Sequence, residues 1–390
     1  MLWFTWRDFR NPEAGGAEVF AYEVATRLAG RGHEVTLFTS EFEGCRDEEL
    51  ADGIRIIRKG TRYSVYREAR ECYRDRLSGE GFDTVIDEIN TRPFLTPKFV
   101  NNGEKIFCLI HQLAREYWFY ETPFPISSVG YYILEGRWLR NYADVSTITV
   151  SRSTAQDLLD LGFRSVSIVP EGVNFRPLDE VPEKEKYPVI AYVGRLKRAK
   201  RPDHAIKAFK LVKEKVPEAE MWMIGDGYFR PQLERMRIEG VRFFGSLPNP
   251  ERREILKRAW VMVNPSVREG FGLNIIEANA LGVPCAAYDV PGLRDSIRDG
   301  ETGILARGGD VVALSQAILK ILTDGSFRGE LSHSALEYSR GFNWDRTADE
   351  FFRVITGDSP LAKAPNRLRR FNPTDVDILK NKSENNTLFD

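Results

Sequence analysis

Cysteine and histidine are scarce in this sequence, and neither forms a recognisable pattern. The four cysteines, Cys45, Cys72, Cys108 and Cys285, follow no disulfide framework and no zinc-ligand spacing. The four histidines are equally scattered and show no metal-ligand spacing. We therefore expect reduced thiols, a cytoplasmic protein and no metal site.

Long apolar runs and an excess of one charge sign are also missing. No run approaches the roughly 20 residues of a membrane-spanning helix, and the opening MLWFTWRDFRNP lacks a secretory pattern. Because 56 Lys and Arg balance 57 Asp and Glu, the net charge is −1 and no basic field indicates nucleic acid as a partner. With 42% hydrophobic residues, the 390-residue chain is typical of a globular protein of two or three domains.

Strand-like and helix-like patterns alternate in both halves of the chain. The strands predicted in the first half include LWFTW, HEVTLFTS, DTVIDEI, KIFCLIH, VSTITVS and VSIVP. Those in the second half are VIAYVG, AEMWMIG, VRFFG, WVMVNPS and VPCAAYD. Such alternation predicts two doubly wound α/β domains with parallel sheets. If the two face each other, the carboxyl ends of both sheets line one cleft, where ligands of open sheets bind.

Composition also suggests the domain boundaries. The predicted parts are an N-terminal α/β domain over 1–170, a linker rich in proline and charge over 171–188, a C-terminal α/β domain over 189–341, a last helix within 342–357, and a polar tail over 358–390. The tail has no clear periodicity, so partial disorder is expected there.

The most informative stretch is VREGFGLNIIEANAL at 267–281. Glu269 and Glu277 have seven residues between them, and a glycine stands on each side of Phe271. A strand, a glycine loop and a helix are predicted, with backbone N–H groups at the helix N-terminus that favour an anion. Carboxylates beside such a site suit a ligand with hydroxyls next to its phosphates, such as a nucleotide-sugar. Alternatively, Glu269 caps the helix and Glu277 is a solvated surface residue.

A dense group of cations follows the strand VIAYV. The loop GRLKRAKRP carries five of them, Arg195, Lys197, Arg198, Lys200 and Arg201. Arg195 and Lys200 can together hold a diphosphate, the arginine through forked hydrogen bonds and the lysine as a point charge. The alternative is a solvated basic loop.

Three further loops follow predicted strands. AGGAE brings Gly15 and Gly16 before a helix, where backbone can approach a phosphate, although a tight turn explains it equally well. It is not GxGxxG, which argues against a nicotinamide site. His111 ends IFCLIH and either faces the cleft or lies at a core edge, and GDG at 225–227 is either a nucleoside contact or a turn.

The aromatic stretch 113–142 allows two interpretations. It is a packed excursion over the sheet, or its rings contact sugars or a membrane interface. The basic stretch near 62–77 is predicted as a helix that lies either in solvent or on anionic lipid.

Together these motifs resemble the retaining glycosyltransferases of GT-B fold, family 4 or group 1. The matching segments between Trp3 and about Ile355 are GGAE, RGHEVTLFTS, IVPEGVN, YVGRLKRAK, IGDG, NPSVREGFGLNIIEANALGVPCAAYDVPG and DGETGIL. Three positions depart from the family pattern. Arg201 stands where glycine is usual, Asp295 where glutamate is usual, and EGVN where NGVD is frequent.

The resemblance implies two Rossmann-like domains, N-terminal for the acceptor and C-terminal for the donor, with the last helix crossing back to the first. It implies that Glu269 binds the donor sugar, Glu277 the ribose and Arg195 with Lys200 the diphosphate, while His111 lies near the C6 hydroxyl of the sugar. Further donor contacts are expected at Gly16, Gly194, Gly225, Asp226, Phe271, Gly272 and Leu273.

The activity implied is metal-independent transfer of a hexose from a nucleoside-diphosphate sugar to a glycan or lipid-linked acceptor hydroxyl. No cofactor is expected, and the partners are the donor, the acceptor and, through peripheral contact, the inner face of a membrane. Two alternatives remain open. They are a nucleotide-sugar epimerase of the same fold and a catalytically silent nucleotide-sugar-binding subunit.

Overall fold

The computed structural model describes residues 1–357 and 362–363, and the remaining part of the predicted tail lies outside the described residues. Its strands are β1 Leu2–Phe4, β2 Val35–Thr39, β3 Glu48–Ala51, β4 Ile54–Arg58, β5 Thr84–Glu88, β6 Lys105–Ile110, β7 Ser146–Thr149, β8 Ser165–Ile168, β9 Val189–Val193, β10 Glu220–Ile224, β11 Val241–Gly245, β12 Val261–Asn264, β13 Cys285–Tyr288, β14 Gly303–Ala306 and β15 Ala362–Lys363.

The helices cover both faces of the sheets. They are α1 Gly16–Gly30, α2 Val65–Asp75, α3 Tyr117–Glu121, α4 Ile126–Val129, α5 Glu135–Leu139, α6 Arg152–Asp160, α7 Pro202–Lys213, α8 Arg230–Glu234, α9 Asn249–Leu256, α10 Leu273–Asn279, α11 Leu293–Ser296, α12 Val311–Thr323, α13 Gly325–Ser339 and α14 Trp344–Thr356. Short 3₁₀ turns include Arg198–Lys200.

Two sheets form the framework, as predicted. The first has the order β15-β8-β7-β6-β5-β1-β2-β4-β3, and the second β11-β10-β9-β12-β13-β14. All neighbouring strands run parallel except the pairs β3–β4 and β15–β8. In both sheets the order reverses direction beside the first strand, as in doubly wound folds, so the crevice for a ligand lies at the carboxyl strand ends.

Burial explains why the strands read as continuous apolar runs. Along β9, Ile190 and Tyr192 belong to the core on one face, whereas Ala191 and Val193 belong to the core on the other. Because both faces of the sheet are covered, consecutive residues along the strand are apolar, whichever face they point to.

The last helix joins the C-terminal part of the chain to the first domain. Phe351 of α14 stacks on Trp3 of β1 with ring centroids 5.2 Å apart, and Trp344 lies against Phe20 of α1. Each such buried aromatic side chain contributes about 1.5–3 kcal/mol through removal of apolar surface from water. This packing fixes the two domains relative to one another along α1.

Several elements were not predicted from the pattern, among them β3, β4, β14 and α13. The hairpin β3–β4 is short, β14 has only four residues, and α13 contains Gly325 and Gly329, which lower its helix propensity. The helix forms because Leu331, Ala335 and Leu336 are buried by neighbouring elements. Tertiary packing therefore overrides the local preference.

The four cysteines carry free thiols, with Cys108 and Cys285 buried. Among residues 1–357 and 362–363 no helix combines the length and apolar character needed to cross a bilayer.

Candidate functional site

The two glycine-bearing loops of the cleft lie close to atoms of the opposite domain. Arg195, which follows β9, donates through Nη1 to the carbonyl oxygen of Glu13 at 3.4 Å. A β-carbon at Gly15 would lie 2.7 Å from Nη2 of Arg195, so the guanidinium would have to shift to make room for it. In the same way a β-carbon at Gly270 would lie 2.9 Å from the carbonyl oxygen of His111.

Lys200 and Glu269 form an ion pair at the centre of the site. Nζ of Lys200 donates to Oε2 of Glu269 at 2.5 Å, and Oγ of Ser266 donates to Oε1 at 2.7 Å. Burial alone would lower the pKa of Lys200, but the adjacent charge of Glu269 raises it above its usual value. Lys200 is therefore a fixed positive charge, and Glu269 lies beside it with both oxygens engaged.

The backbone of Arg201 shows why glycine is usual at this position in the family that the motifs resemble. Its φ of +50° lies in the left-handed region, where a β-carbon costs about 1 kcal/mol. The guanidinium compensates through a hydrogen bond from Nη1 to the hydroxyl of Tyr120 at 2.9 Å, and it also contacts His204.

Glu277 lies on α10, one turn after its start, as the spacing predicted. Its two carboxylate oxygens each accept from Nη2 of Arg252 at 3.1 Å. Burial raises the pKa of Glu277, and the charges of Arg252 and Arg253 oppose that shift. Glu277 is thus a largely buried, paired carboxylate and not a solvated surface residue.

His111 is buried between two carboxylates that the sequence did not single out. Its Nε2 lies 3.3 Å from Oε1 of Glu88, and its Nδ1 lies 3.5 Å from Oε1 of Glu171, without hydrogen-bond alignment. Burial lowers the pKa of His111, but Glu171 and Glu88 outweigh it and raise the pKa to about 9. The residue is therefore an imidazolium at neutral pH. Glu171 is the glutamate of EGVN. The residue at which this sequence departs from NGVD therefore lies beside His111.

The remaining expected donor residues fall into two groups. Gly16, Gly194, Gly225, Gly272 and the carboxylate of Asp226 stand at carboxyl ends of strands or at helix starts, and Asp226 Oδ2 accepts from Arg230 at 2.9 Å. In the second group, the side chain of Phe271 is 5% exposed and packs against Phe342, and Leu273 is partly buried in the same cluster. Contacts of those two residues with a donor would have to come from their backbone.

The stretch 113–142 contains side chains that contact the site but belong to none of the sequence motifs. Tyr117 donates through its hydroxyl to the carbonyl oxygen of Arg268 at 3.2 Å, and Glu121 accepts from the backbone N–H of Ala199 at 2.9 Å. The guanidinium of Arg268 pairs with Glu116 at 2.9 Å and with Asp157 at 2.6 Å. The packed-excursion interpretation therefore holds for one side of this segment, and what it packs against is the opposite domain. In the sequence, the acidic residues among the aromatic ones are the signal that could have indicated contacts with the opposite domain.

Comparison with known proteins gives the family. The model of glycosyl transferases group 1 matches residues 176–341, and that of glycosyltransferase family 4 matches residues 14–176. A D-inositol 3-phosphate glycosyltransferase of Thermomonospora curvata is 28% identical over 408 residues, covering 90% of this chain and 93% of that protein.

Solved structures share the fold. Sucrose-phosphate synthase of Thermosynechococcus elongatus superposes with a TM-score of 0.75 at 21% identity, over 92% of this chain and 99% of that one. HepE of Anabaena, solved in complex with UDP and glucose, has a TM-score of 0.67 at 15% identity, over 91% and 99% of the two chains. Since the two family models together span residues 14–341, the chain belongs to the group 1 glycosyltransferases and has the GT-B fold.

Proposed function

We propose that this glycosyltransferase moves a hexose from a nucleoside-diphosphate sugar to an acceptor hydroxyl and retains the anomeric configuration. The observation that carries the proposal is the 2.5 Å contact between Lys200 and Glu269. It places a cation suited to a diphosphate next to a carboxylate suited to sugar hydroxyls, at the carboxyl ends of the strands where ligands of such sheets bind.

The diphosphate is assigned to Arg195 and Lys200, with the backbone of Gly15 and Gly16 opposite. Within residues 1–357 and 362–363, the guanidinium of Arg195 has only a carbonyl oxygen as its hydrogen-bond partner, so its charge is available to an anion. Lys200 shares its ammonium between Glu269 and the phosphates, since it has three donors. These charges supply what a metal ion would bring to the leaving group, so we propose that the reaction needs no divalent metal.

The displacement takes place on one face of the sugar. Both oxygens of Glu269 are engaged by Lys200 and Ser266, which disfavours this carboxylate as a covalent nucleophile. The bond between the anomeric carbon and the phosphate oxygen breaks, and the acceptor oxygen attaches to the same face. The proton of the acceptor hydroxyl passes to the departing phosphate oxygen, whose growing charge Arg195 and Lys200 stabilise.

Glu277 is assigned to the ribose. A carboxylate has about four lone-pair sites, and Arg252 uses one on each oxygen. Burial raises the pKa of Glu277, and the pairing with Arg252 opposes that shift, because an unpaired buried charge is costly. Arg252 therefore orients Glu277 and does not replace the ribose.

For the acceptor we propose a lipid-linked or glycan hydroxyl held on the N-terminal side. Six large apolar side chains of the aromatic stretch are exposed, namely Phe119, Phe124, Ile126, Val129, Tyr132 and Ile133. With the exposed Arg137 and Arg140 nearby in sequence, this apolar surface suits anionic lipid. The helix α2 supports the idea less, since Arg67 and Arg74 already pair with Glu68 and Asp75.

A donor screen tests the function. Purified protein is incubated with UDP-, GDP- and ADP-sugars, and the free nucleoside diphosphate is measured with and without acceptors. D-inositol 3-phosphate belongs in the acceptor panel because the 28% identical relative is named for it. We expect acceptor-dependent release with one donor class and an α-linked product from an α-linked donor. Formation of an epimeric donor, or no release with any donor, would contradict the proposal.

A further inference from the structure

The turn that carries Lys200 is closed by a small hydrogen-bonded ring. The backbone N–H of Arg198 donates to the hydroxyl of Tyr228 at 3.1 Å, and that of Ala199 donates to Oε1 of Glu121 at 2.9 Å. The hydroxyl of Tyr228 in turn donates to Oε2 of Glu121 at 2.9 Å. The two N–H groups that open the 3₁₀ turn are therefore satisfied by one tyrosine and one carboxylate.

The two partners come from different domains. Tyr228 follows β10 and is held beside the turn because the N–H of Phe229 donates to the carbonyl oxygen of Leu196 at 3.0 Å. Glu121 is the last residue of α3, which belongs to the N-terminal domain. The ring thus depends on α3 lying against the donor side of the cleft.

Two other residues of α3 flank the same turn. Tyr120 accepts a hydrogen bond from Arg201 directly after it, and Nζ of Lys200 lies 5.8 Å from the ring centroid of Tyr117. Arg201 has a strained left-handed backbone, so the turn needs external support to keep its shape. Helix α3 supplies that support on both sides of Lys200.

We propose that Glu121 is a positioning residue for donor binding, acting on Lys200 through the backbone of residues 198–199. A carboxylate that accepts from a backbone N–H makes a charge-assisted bond, about twice as strong as a neutral one. Without it the turn relaxes toward water and the ammonium of Lys200 leaves the diphosphate position. Donor affinity is therefore set in part by the acceptor-side domain. The inference rests on the proposed function.

The experiment compares full-length wild type with Glu121→Ala, Glu121→Gln and Tyr228→Phe. UDP, GDP and ADP are titrated by calorimetry, and the donor and acceptor KM are measured separately. We expect about tenfold weaker nucleotide binding in Glu121→Ala, which corresponds to about 1.4 kcal/mol. Glu121→Gln should lose less affinity than Glu121→Ala, because its amide oxygen still accepts from Ala199, although without the charge that strengthens the bond. The acceptor KM should not change.

A readout without ligand separates this inference from the proposed function. Hydrogen exchange of the peptide covering 197–201 should be faster in Glu121→Ala than in wild type, with Glu121→Gln between the two. As a matched control, Arg31→Ala removes an ion pair with Asp349 at the far end of α1 and should change neither measurement.

Three results would overturn the inference. They are unchanged nucleotide affinity and exchange in Glu121→Ala, tighter nucleotide binding in Glu121→Ala, and equal losses in Glu121→Ala and Glu121→Gln. If wild type binds none of the three nucleotides, the proposed function fails. The exchange experiment then still decides whether Glu121 holds the turn.

Discussion

Nζ of Lys200 lies 2.5 Å from Oε2 of Glu269, although the two residues are 69 positions apart in the chain. One follows β9 and the other follows β12, and these strands are neighbours in the second sheet. Because parallel neighbours end at the same edge, a cationic loop and an acidic loop come into contact there. The effects expected of substitutions in the site follow from this contact.

Replacing Lys200 by alanine should lower turnover by ~10²-fold or more, the scale of losing one preorganised electrostatic contact. The substitution also leaves Glu269 without its cation. Steady-state kinetics with saturating donor give the answer. Lys207→Ala is the matched control, because Lys207 is an exposed lysine on the next helix that pairs with Asp203. Wild-type turnover, or a pure rise in donor KM, would contradict the assignment.

Replacing Glu277 by alanine should mainly weaken nucleotide binding, whereas Glu269→Gln should mainly slow the chemical step. The reason is that Glu277 is assigned to the ribose and Glu269 to the donor sugar. Calorimetry with the free nucleoside diphosphate and single-turnover kinetics separate the two effects. Arg252→Ala should resemble Glu277→Ala in direction, since it leaves a buried carboxylate unpaired. Wild-type nucleotide affinity in Glu277→Ala would refute the ribose role.

Activity should survive removal of divalent metals. The reason is the proposal that Arg195 and Lys200 provide the positive charge for the leaving diphosphate. Transfer is measured in EDTA and then with added magnesium or manganese. Complete loss in EDTA that either ion restores would overturn the prediction.

The free energy of unfolding should fall between about pH 6.5 and about pH 9 because of His111. Its pKa is 6.5 when unperturbed and about 9 in the fold. A raised pKa means that the folded state binds the proton more tightly, so this stabilisation is complete below pH 6.5 and lost through pH 9. The charged groups that face His111 are the carboxylates of Glu88 and Glu171.

Urea unfolding at a series of pH values measures the effect. His111→Gln should flatten this part of the profile. Glu171→Gln should move the fall to lower pH, since one of the two carboxylates that raise the pKa is removed. An identical pH profile in wild type and His111→Gln would show that His111 does not titrate in this range.

The protein should float with anionic vesicles at low salt and detach as salt rises. The exposed side chains of Phe124 and Ile126, 81% and 54% accessible, provide the apolar contact. The double substitution Phe124→Ser and Ile126→Ser should abolish flotation. A variant with reversed charges at Arg67, Arg70 and Arg74 is compared with it, because these arginines lie on α2, where Arg67 and Arg74 already form ion pairs. Each basic residue near anionic lipid contributes roughly 1 kcal/mol. No flotation of wild type at low salt would exclude the membrane contact.

Much of the fold and of the candidate site could be predicted from local pattern. The buried strands are continuous apolar runs because parallel sheets are covered on both faces. The loops at 194–202 and 267–281 each bring their charged residues together within one short segment of the sequence. Glu269, Glu277, Arg195 and Lys200 stand out for that reason. Elements whose local preference is weak, such as α13 with its two glycines, could not be found this way, because their helical state depends on packing.

The contacts across the cleft are decided by tertiary structure alone. Glu121 and Ala199, or Asp157 and Arg268, lie far apart in sequence, and nothing in their immediate neighbours indicates that they meet. Their proximity follows from how α14 packs on α1 and how α3 lies on the donor side. The sequence by itself determines which groups are available at each strand end, because that depends on local patterning. Which charges face one another depends on long-range packing that no local pattern encodes.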